Sequence, residues 1–380
     1  MIRWPFVGRD EERAALGAAA RTGGALLTGP PGVGKSALAA CLHGLRLSGT
    51  GSAVPLGAFA HLLPAGPPAA NLFAWAAERL GPRPLLIADD AHLLDETSAA
   101  LLHHLATRER SERATVIAVT RSGADLPAPL RALGLPRLEL SPLRQEHAGR
   151  LLTAALGDRV DGETVRTFWR AAAGNLRFLR ELVSAAVAAG ALALVDGVWC
   201  SRGGLPLSLS LRELVSAEIG DLDEEERDVL ELVAVHESVD AGILLAGDHP
   251  DAVHRVERRG LITTRPRGGA LLVRLAHPMY QAVIREWVGP LRARHHIHRL
   301  APGDTPVTGR EQQVGQLASW GLTNREIADW LGLSHRTVGN HLHRLYAKVG
   351  VNDRTHLAGV LNLLNGLSAD MPPGVSAFPR

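Results

Sequence analysis

Cysteine is nearly absent: Cys41 and Cys200 are the two in a chain of 380 residues. They have no paired spacing, which excludes a disulfide scaffold or thiolate metal site and fits a reducing cytosol. Long apolar runs are also missing. The longest, from Val183 to Val195, is too short to span a bilayer. The N-terminal Met1-Ile2-Arg3-Trp4-Pro5 leads directly into Arg9-Asp10-Glu11-Glu12-Arg13, with no apolar stretch for a signal peptide. A cytoplasmic protein without membrane contact is expected. An excess of one charge is lacking too: the formal net charge is +2, so any nucleic-acid contact must be local. The scarcest basic residue is lysine, with only Lys35 and Lys348 among 41 basic residues. Where arginine supplies positive charge almost everywhere, a lysine marks a position that needs a compact ammonium rather than a planar fork.

What is present is ordinary for a globular chain: 46% hydrophobic and 21% charged residues. At this length a single core is exceeded, and two to four domains are expected.

One motif stands out. Gly29-Pro30-Pro31-Gly32-Val33-Gly34-Lys35-Ser36 fits G-x-x-x-x-G-K-[ST] in full, after the strand-like Ala25-Leu26-Leu27-Thr28 and before the helical Ala37-Leu38-Ala39-Ala40. The glycines let backbone N–H groups turn inward around a phosphate. Lys35 reaches the β- and γ-phosphates, and the Ser36 hydroxyl ligates Mg²⁺. A chance Gly/Pro loop in a chain with 40 glycines would lack this strand-loop-helix setting. The apolar Pro84-Leu85-Leu86-Ile87-Ala88 ends in Asp89-Asp90. Taken alone it reads equally as a buried strand with an Asp-capped turn. Beside a P-loop it reads as a Walker B segment, with Asp89 holding Mg²⁺ through water and Asp90 orienting or deprotonating the attacking water. A third strand, Thr115 to Thr120, ends in Arg121, which is either a γ-phosphate sensor or a solvated surface residue.

These motifs, with Phe6-Val7-Gly8-Arg9-Asp10-Glu11, Val54-Pro55-Leu56-Gly57, Asp89-Asp90-Ala91-His92-Leu93-Leu94-Asp95, Gly174-Asn175-Leu176 and Arg274-Leu275-Ala276-His277-Pro278, resemble the STAND-type ATPase of large ATP-binding LuxR-family regulators. The resemblance covers most of the chain. It implies a three-layer α/β P-loop ATPase domain over residues 1–140, a helical bundle over 141–204 and a winged helix over 205–290, with its hairpin turning at Arg267-Gly268-Gly269. It also implies that Arg9 lies near ATP or ADP, that Asn175 approaches the adenine side, and that His277 reads the β-phosphate. A lone histidine is more often a packed or surface residue. The chain departs from the family in carrying Leu176 in place of a proline. It also has a shorter segment between Ser36 and Asp89, which leaves the second strand of the sheet open.

After a linker over 291–307 that ends in the breaker-rich Ala301-Pro302-Gly303-Asp304-Thr305-Pro306, the pattern changes to compact, capped helices. Thr308 with Glu311 and Thr323 with Glu326 are capping boxes, Gly332 stops the second helix and Ser334 opens the third. Asp353 caps a fourth that carries Leu357, Val360, Leu361 and Leu364. The run resembles a four-helix LuxR-type helix-turn-helix over 308–366, followed by a flexible tail over 367–380. The resemblance implies that Asn340 and His343 face base edges and that Arg336, His341, Arg344 and Lys348 serve phosphates of double-stranded promoter DNA. A small helical interaction module with the same caps is the other reading. Gly339 stands where the family has a lysine and Gly315 where it has a core leucine. With six Lys/Arg against four Asp/Glu from Thr308 to Gly366, a single copy binds weakly, so self-association to a dimer or higher is expected.

The whole reads as a transcription regulator whose nucleotide state controls self-association and DNA binding, with slow ATP hydrolysis as a switch and RNA polymerase as a further partner. Two other readings stay open. One is a DNA-acting ATPase of replication-initiator type, which lacks here a second sensor arginine. The other is a DNA-binding regulator with a vestigial nucleotide site. The helical repeats that large relatives carry before the DNA-binding domain are missing, so no ligand sensor is legible.

Overall fold

The computed structural model describes residues 2, 4–63, 71–267, 270–300, 308–349, 354 and 357. The Gly268-Gly269 turn, the end of the linker at 301–307, nearly all of the expected fourth helix and the 367–380 tail lie outside the described residues. The chain divides into two compact units, Met1–Ser208 and Leu209–Arg380.

The first unit is built on five strands: β1 (Gly24–Thr28), β2 (Leu45–Ser48), β3 (Leu85–Asp89), β4 (Thr115–Val119) and β5 (Arg137–Glu139). They form one sheet in the order β2-β3-β4-β1-β5, and every pairing is parallel. Side chains alternate across a strand, and here both sets are apolar. Leu26, Leu86, Ala88, Val116 and Ala118 enter one core with the helices Leu72–Leu80 and Glu96–Thr107. Ala25, Leu27, Ile87, Ile117 and Val119 enter another with Leu16 of the helix Asp10–Thr22 and Leu38 after the loop. Burial on both faces explains the near-continuous apolar runs of β1, β3 and β4 and produces three layers. The second strand, left open by the sequence, is β2, paired in register from Leu45 opposite Leu86 to Ser48 opposite Asp89.

Residues after β5 form the helices Gln145–Leu156, Gly162–Ala172 and Leu176–Ala188. This helical region also carries a small sheet. The hairpin Leu192–Val195 and Val198–Ser201 turns at Asp196-Gly197, both with positive φ, and Arg159–Val160 pairs alongside. Asp-Gly is the residue pair that a tight hairpin turn of this hand selects. The apolar run from Val183 to Val195 is therefore two elements, a helix ending at Ala188 and a strand starting at Leu192.

The second unit begins with helices, including Glu224–His236, which opens on an Asp223/Glu226 capping box. The helix Pro250–Arg258 leads into the antiparallel hairpin Ile262–Arg267 and Ala270–Leu275, with Val239–Asp240 on its other side, a winged-helix arrangement. Pro266 is tolerated because its strand is an edge. The helix Pro290–Leu300 then packs against both Glu224–His236 and the later helix His335–Val349. Its buried His296 meets the buried carboxylate of Glu231 at 3.2 Å, and Arg292 Nε donates to the same oxygen at 3.0 Å. A carboxylate taken from water is costly unless it is paired in this way.

Candidate nucleotide and nucleic-acid sites

Because the sheet is wholly parallel, the C-terminal ends of β1, β3, β4 and β5 share one edge, where doubly wound sheets hold their ligands. The glycine loop leaves β1 there. Gly32 and Gly34 take left-handed φ of 71° and 99°, a conformation that turns backbone N–H groups toward one concavity. A Cβ on Gly29 would run into the Leu140 carbonyl, and one on Gly32 into the Asn175 amide. Lys35 Nζ donates to the carbonyls of Gly29 and Pro30, both at 2.8 Å, so the ammonium lies across the loop. Ser36 is exposed one residue into the short helix Lys35–Ala39.

Neighbouring strand ends close around the loop. Thr120 N–H donates to Leu27 O at 2.9 Å and Ser122 N–H to Gly29 O at 3.1 Å. The intervening exposed Arg121 is thereby fixed beside the loop entrance. Asp89 ends β3 half-buried, and its Oδ1 accepts from the Asp90 N–H at 3.1 Å. Asp90 has φ 45° and ψ 46°, a left-handed conformation that Asp tolerates better than most residues.

Three residues that the sequence assigned by resemblance have defined positions. Arg9 is 6% exposed. Its guanidinium donates to Ser141 O at 2.5 Å, to Val33 O in the loop at 3.5 Å and to Glu12 Oε1 at 2.8 Å, joining the chain start, the loop and the end of β5. Although burial opposes it, the Arg9 hydrogen bond and charge hold Glu12 below the ordinary carboxylate range. Asn175 caps the helix Leu176–Ala188, accepting from the N–H groups of Arg177 and Phe178, while its Nδ2 donates to Pro31 O at 3.3 Å. At the position of the family's proline, the Leu176 N–H donates to Gly32 O at 2.8 Å, a bond that proline cannot make. His277 lies in the second unit. There its Nδ1 accepts from Met279 N–H at 3.0 Å and caps the helix Pro278–Trp287.

One residue here was not singled out from the sequence. His92, on the turn Ala91–Leu93 after Asp90, is close enough to Arg121, Lys35 and Asp90 to feel their charges. Burial first, then Arg121, and more weakly Lys35 push its pKa down against the opposing pull of Asp90, which favours the neutral ring. Its signal in the sequence was a histidine two residues beyond an Asp-Asp strand end.

The C-terminal region of the second unit is assembled from local signals. The helix Gly309–Ser319 opens with Thr308 N–H to Glu311 Oε2 at 2.8 Å and the return bond at 3.3 Å. The helix Asn324–Leu331 repeats this through Thr323 and Glu326, and left-handed Gly332 ends it. Ser334 Oγ accepts from Thr337 N–H at 3.1 Å and starts the helix His335–Val349. Along that helix Val338, Leu342 and Leu345 are buried, while Arg336, Asn340, His343 and Arg344 are exposed and His341 is half-buried. Lys348 lies in its last turn. Arg354 donates to Ala318 O at 3.3 Å and to Asn324 Oδ1 at 2.9 Å, bracing the first two helices.

Among the described residues, no helix is long and apolar enough to cross a membrane. Residues 305–361 match the family described as bacterial regulatory proteins, luxR family (GerE). A Bacillus subtilis relative, the uncharacterized transcriptional regulatory protein YxjL, is 42% identical over 76 residues, which are 20% of this chain and 34% of that protein. The chain thus spans about a third of that relative's length. Backbone similarity also extends to solved structures, including the following two. One is the Thermotoga maritima RuvB Holliday junction branch migration motor, with TM-score 0.40, 20% identity, and 73% and 95% of the two chains covered. The other is the Pyrococcus horikoshii STAND protein PH0952 with a tetratricopeptide repeat sensor, with TM-score 0.37, 17% identity, and 96% and 57% covered. The match at 305–361 and the capped helices inside it agree: this chain carries a helix-turn-helix domain of the luxR family of bacterial regulatory proteins at its C-terminal end.

Proposed function

We propose that this protein is an ATP-binding transcription regulator in which the nucleotide state controls self-association and thereby binding to double-stranded DNA. The observation that carries the reading is the convergence of Lys35, Asp89, Asp90 and Arg121 from the ends of β1, β3 and β4 on one sheet edge.

The donor set suits a nucleoside polyphosphate with Mg²⁺: a left-handed glycine nest, an ammonium on the loop, an exposed hydroxyl and a half-buried carboxylate. Mg²⁺ would be held by Ser36 and Asp89, and it supplies charge neutralisation between the β- and γ-phosphates. Lys35 moves from the loop carbonyls to phosphate oxygens, Arg121 faces the terminal phosphate, and Asp90 orients water. Arg9 and Asn175 hold the loop in shape. ATP hydrolysis serves as a slow switch.

On the DNA side, Asn340 and His343 read base edges, and Arg336, His341, Arg344 and Lys348 contact phosphates. A net +2 over the domain leaves one copy a weak binder, so assembly supplies the affinity. RNA polymerase would be engaged by the assembled form. The helix Pro290–Leu300, packed on both the winged-helix region and the recognition helix, is the mechanical link within the second unit.

The test is sedimentation of the full chain with Mg·ADP and with a non-hydrolysable Mg·ATP analogue, for the parent and for Lys35→Ala. A larger mass with the triphosphate, lost in the variant, is expected. Equal masses in both nucleotides would refute the switch.

A further inference from the structure

We infer that His92 reads the terminal phosphate of a nucleoside triphosphate, donating a hydrogen bond from Nε2 and so setting the preference of the site for tri- over diphosphate. The inference rests on the nucleotide reading above and assigns a residue that reading left unused.

The position is rigid. The turn that carries His92 is closed by Leu93 N–H to Asp90 O at 2.8 Å, and the segment just after β2 clamps it through Gly49 N–H to Asp89 O and Gly51 N–H to Leu93 O, both 2.9 Å. A Cβ on Gly49 would collide with the Asp90 carbonyl and the Leu93-Leu94 peptide, so the turn and the strand end fit closely. The fully buried Ala91 anchors the turn from below. His92 is therefore held within electrostatic reach of Asp90, Lys35 and Arg121, which follow β3, β1 and β4 on one sheet edge.

Its ring chemistry follows from burial. Nδ1 is buried and has no hydrogen-bond partner among the described residues. A buried N–H without an acceptor is the rarer and more costly arrangement, so the proton belongs on Nε2 and the bare lone pair on Nδ1. The ring then presents one neutral donor, and Nε2 is the nitrogen left to meet a ligand. A neutral donor adds direction where Lys35 and Arg121 already supply charge. It therefore responds to where a phosphate oxygen sits rather than to total negative charge. A diphosphate held by the loop leaves that donor unused.

The test is titration of Mg·ADP and of the analogue Mg·AMPPNP onto the full chain. For His92→Ala, the AMPPNP dissociation constant should rise at least about tenfold, the loss of one hydrogen bond to a charged group, with ADP changed less than about twofold. Gln places an amide N–H near the reach of Nε2, whereas Asn reaches only toward Nδ1. His92→Gln should therefore recover most of the preference and His92→Asn should not. Equal weakening of both nucleotides by His92→Ala, no change in either, or rescue by Asn instead of Gln would overturn the assignment. Failure of the parent chain to bind either nucleotide would refute the nucleotide reading itself and this inference with it. Should His92→Ala fold poorly, as its thermal unfolding would show, the Gln and Asn pair decides alone.

Discussion

The two candidate sites of this chain are made in opposite ways. The helix ends of the helix-turn-helix are set by partners three or four residues apart: Thr308 with Glu311, Thr323 with Glu326, Ser334 with Thr337, Gly332 with Ala328. The strand-edge site is held by partners more than a hundred residues apart: Arg9 with Ser141, Asn175 with Pro31. Local construction makes the first legible and separable. Non-local construction makes the second a product of the whole first unit, so it is exposed to any change that loosens the unit.

That contrast can be broken at several points. The largest effects belong on the DNA face, because base contacts act singly. Asn340→Ala should cost about 1–3 kcal/mol on a preferred sequence and relax the preference at one position. Arg344→Ala should weaken all sequences alike and lower the salt slope by about one. Competition binding against mutated sites checks both, and identical behaviour would show that the exposed face is misassigned. Next comes Asn175→Ala, which removes both a helix cap and a loop tether. A loss of about 1–2 kcal/mol in the unfolding of the first unit, accompanied by weaker nucleotide binding, is expected. Destabilisation with nucleotide affinity intact would separate the cap from the site.

A smaller effect, of opposite sign, is expected at Gly339. A Cβ there meets nothing, so Gly339→Ala should stabilise the C-terminal helices by up to about 1 kcal/mol. Denaturant unfolding measures this, and a loss would indicate a contact on that face. The smallest effect is a pH dependence. Burial raises the Asp95 pKa, but hydrogen bonds from Ser98 and the Leu56 N–H outweigh it and hold the carboxylate below its ordinary value. A depressed pKa contributes stability that is present above the unfolded value, about 3.9, and is lost as pH falls through the folded value. The acid limb of unfolding of the first unit should be shallower in Asp95→Asn, and an unchanged limb would assign it to other carboxylates.

The same contrast sets what the sequence could reveal. Both capping boxes, the Gly332 stop and the glycine loop are contiguous patterns, and a reader of residues sees them whole. β1, β3 and β4 were visible because burial on both faces makes them continuously apolar. β2 was not, since Leu45-Arg46-Leu47-Ser48 is an outer strand with one fully buried side chain, Leu47. The first strand of the hairpin, Leu192–Val195, hid at the end of an apolar run that crosses from helix to strand. Leu176 was legible only as a departure, and its compensating N–H bond to Gly32 depends on a fold that brings residue 176 to the loop. His92 acquires meaning only beside Arg121 and Lys35, which no spacing in the sequence announces.

The proposed function turns on control of the C-terminal domain's grip on DNA by the site built across the first unit. It is tested most directly by the affinity of the full chain for one preferred duplex, measured with Mg·ADP and with Mg·AMPPNP, in the parent and in Lys35→Ala. Tighter binding with the triphosphate in the parent and no difference in the variant are expected. Equal affinity with both nucleotides in the parent, or a difference that survives in Lys35→Ala, would contradict it.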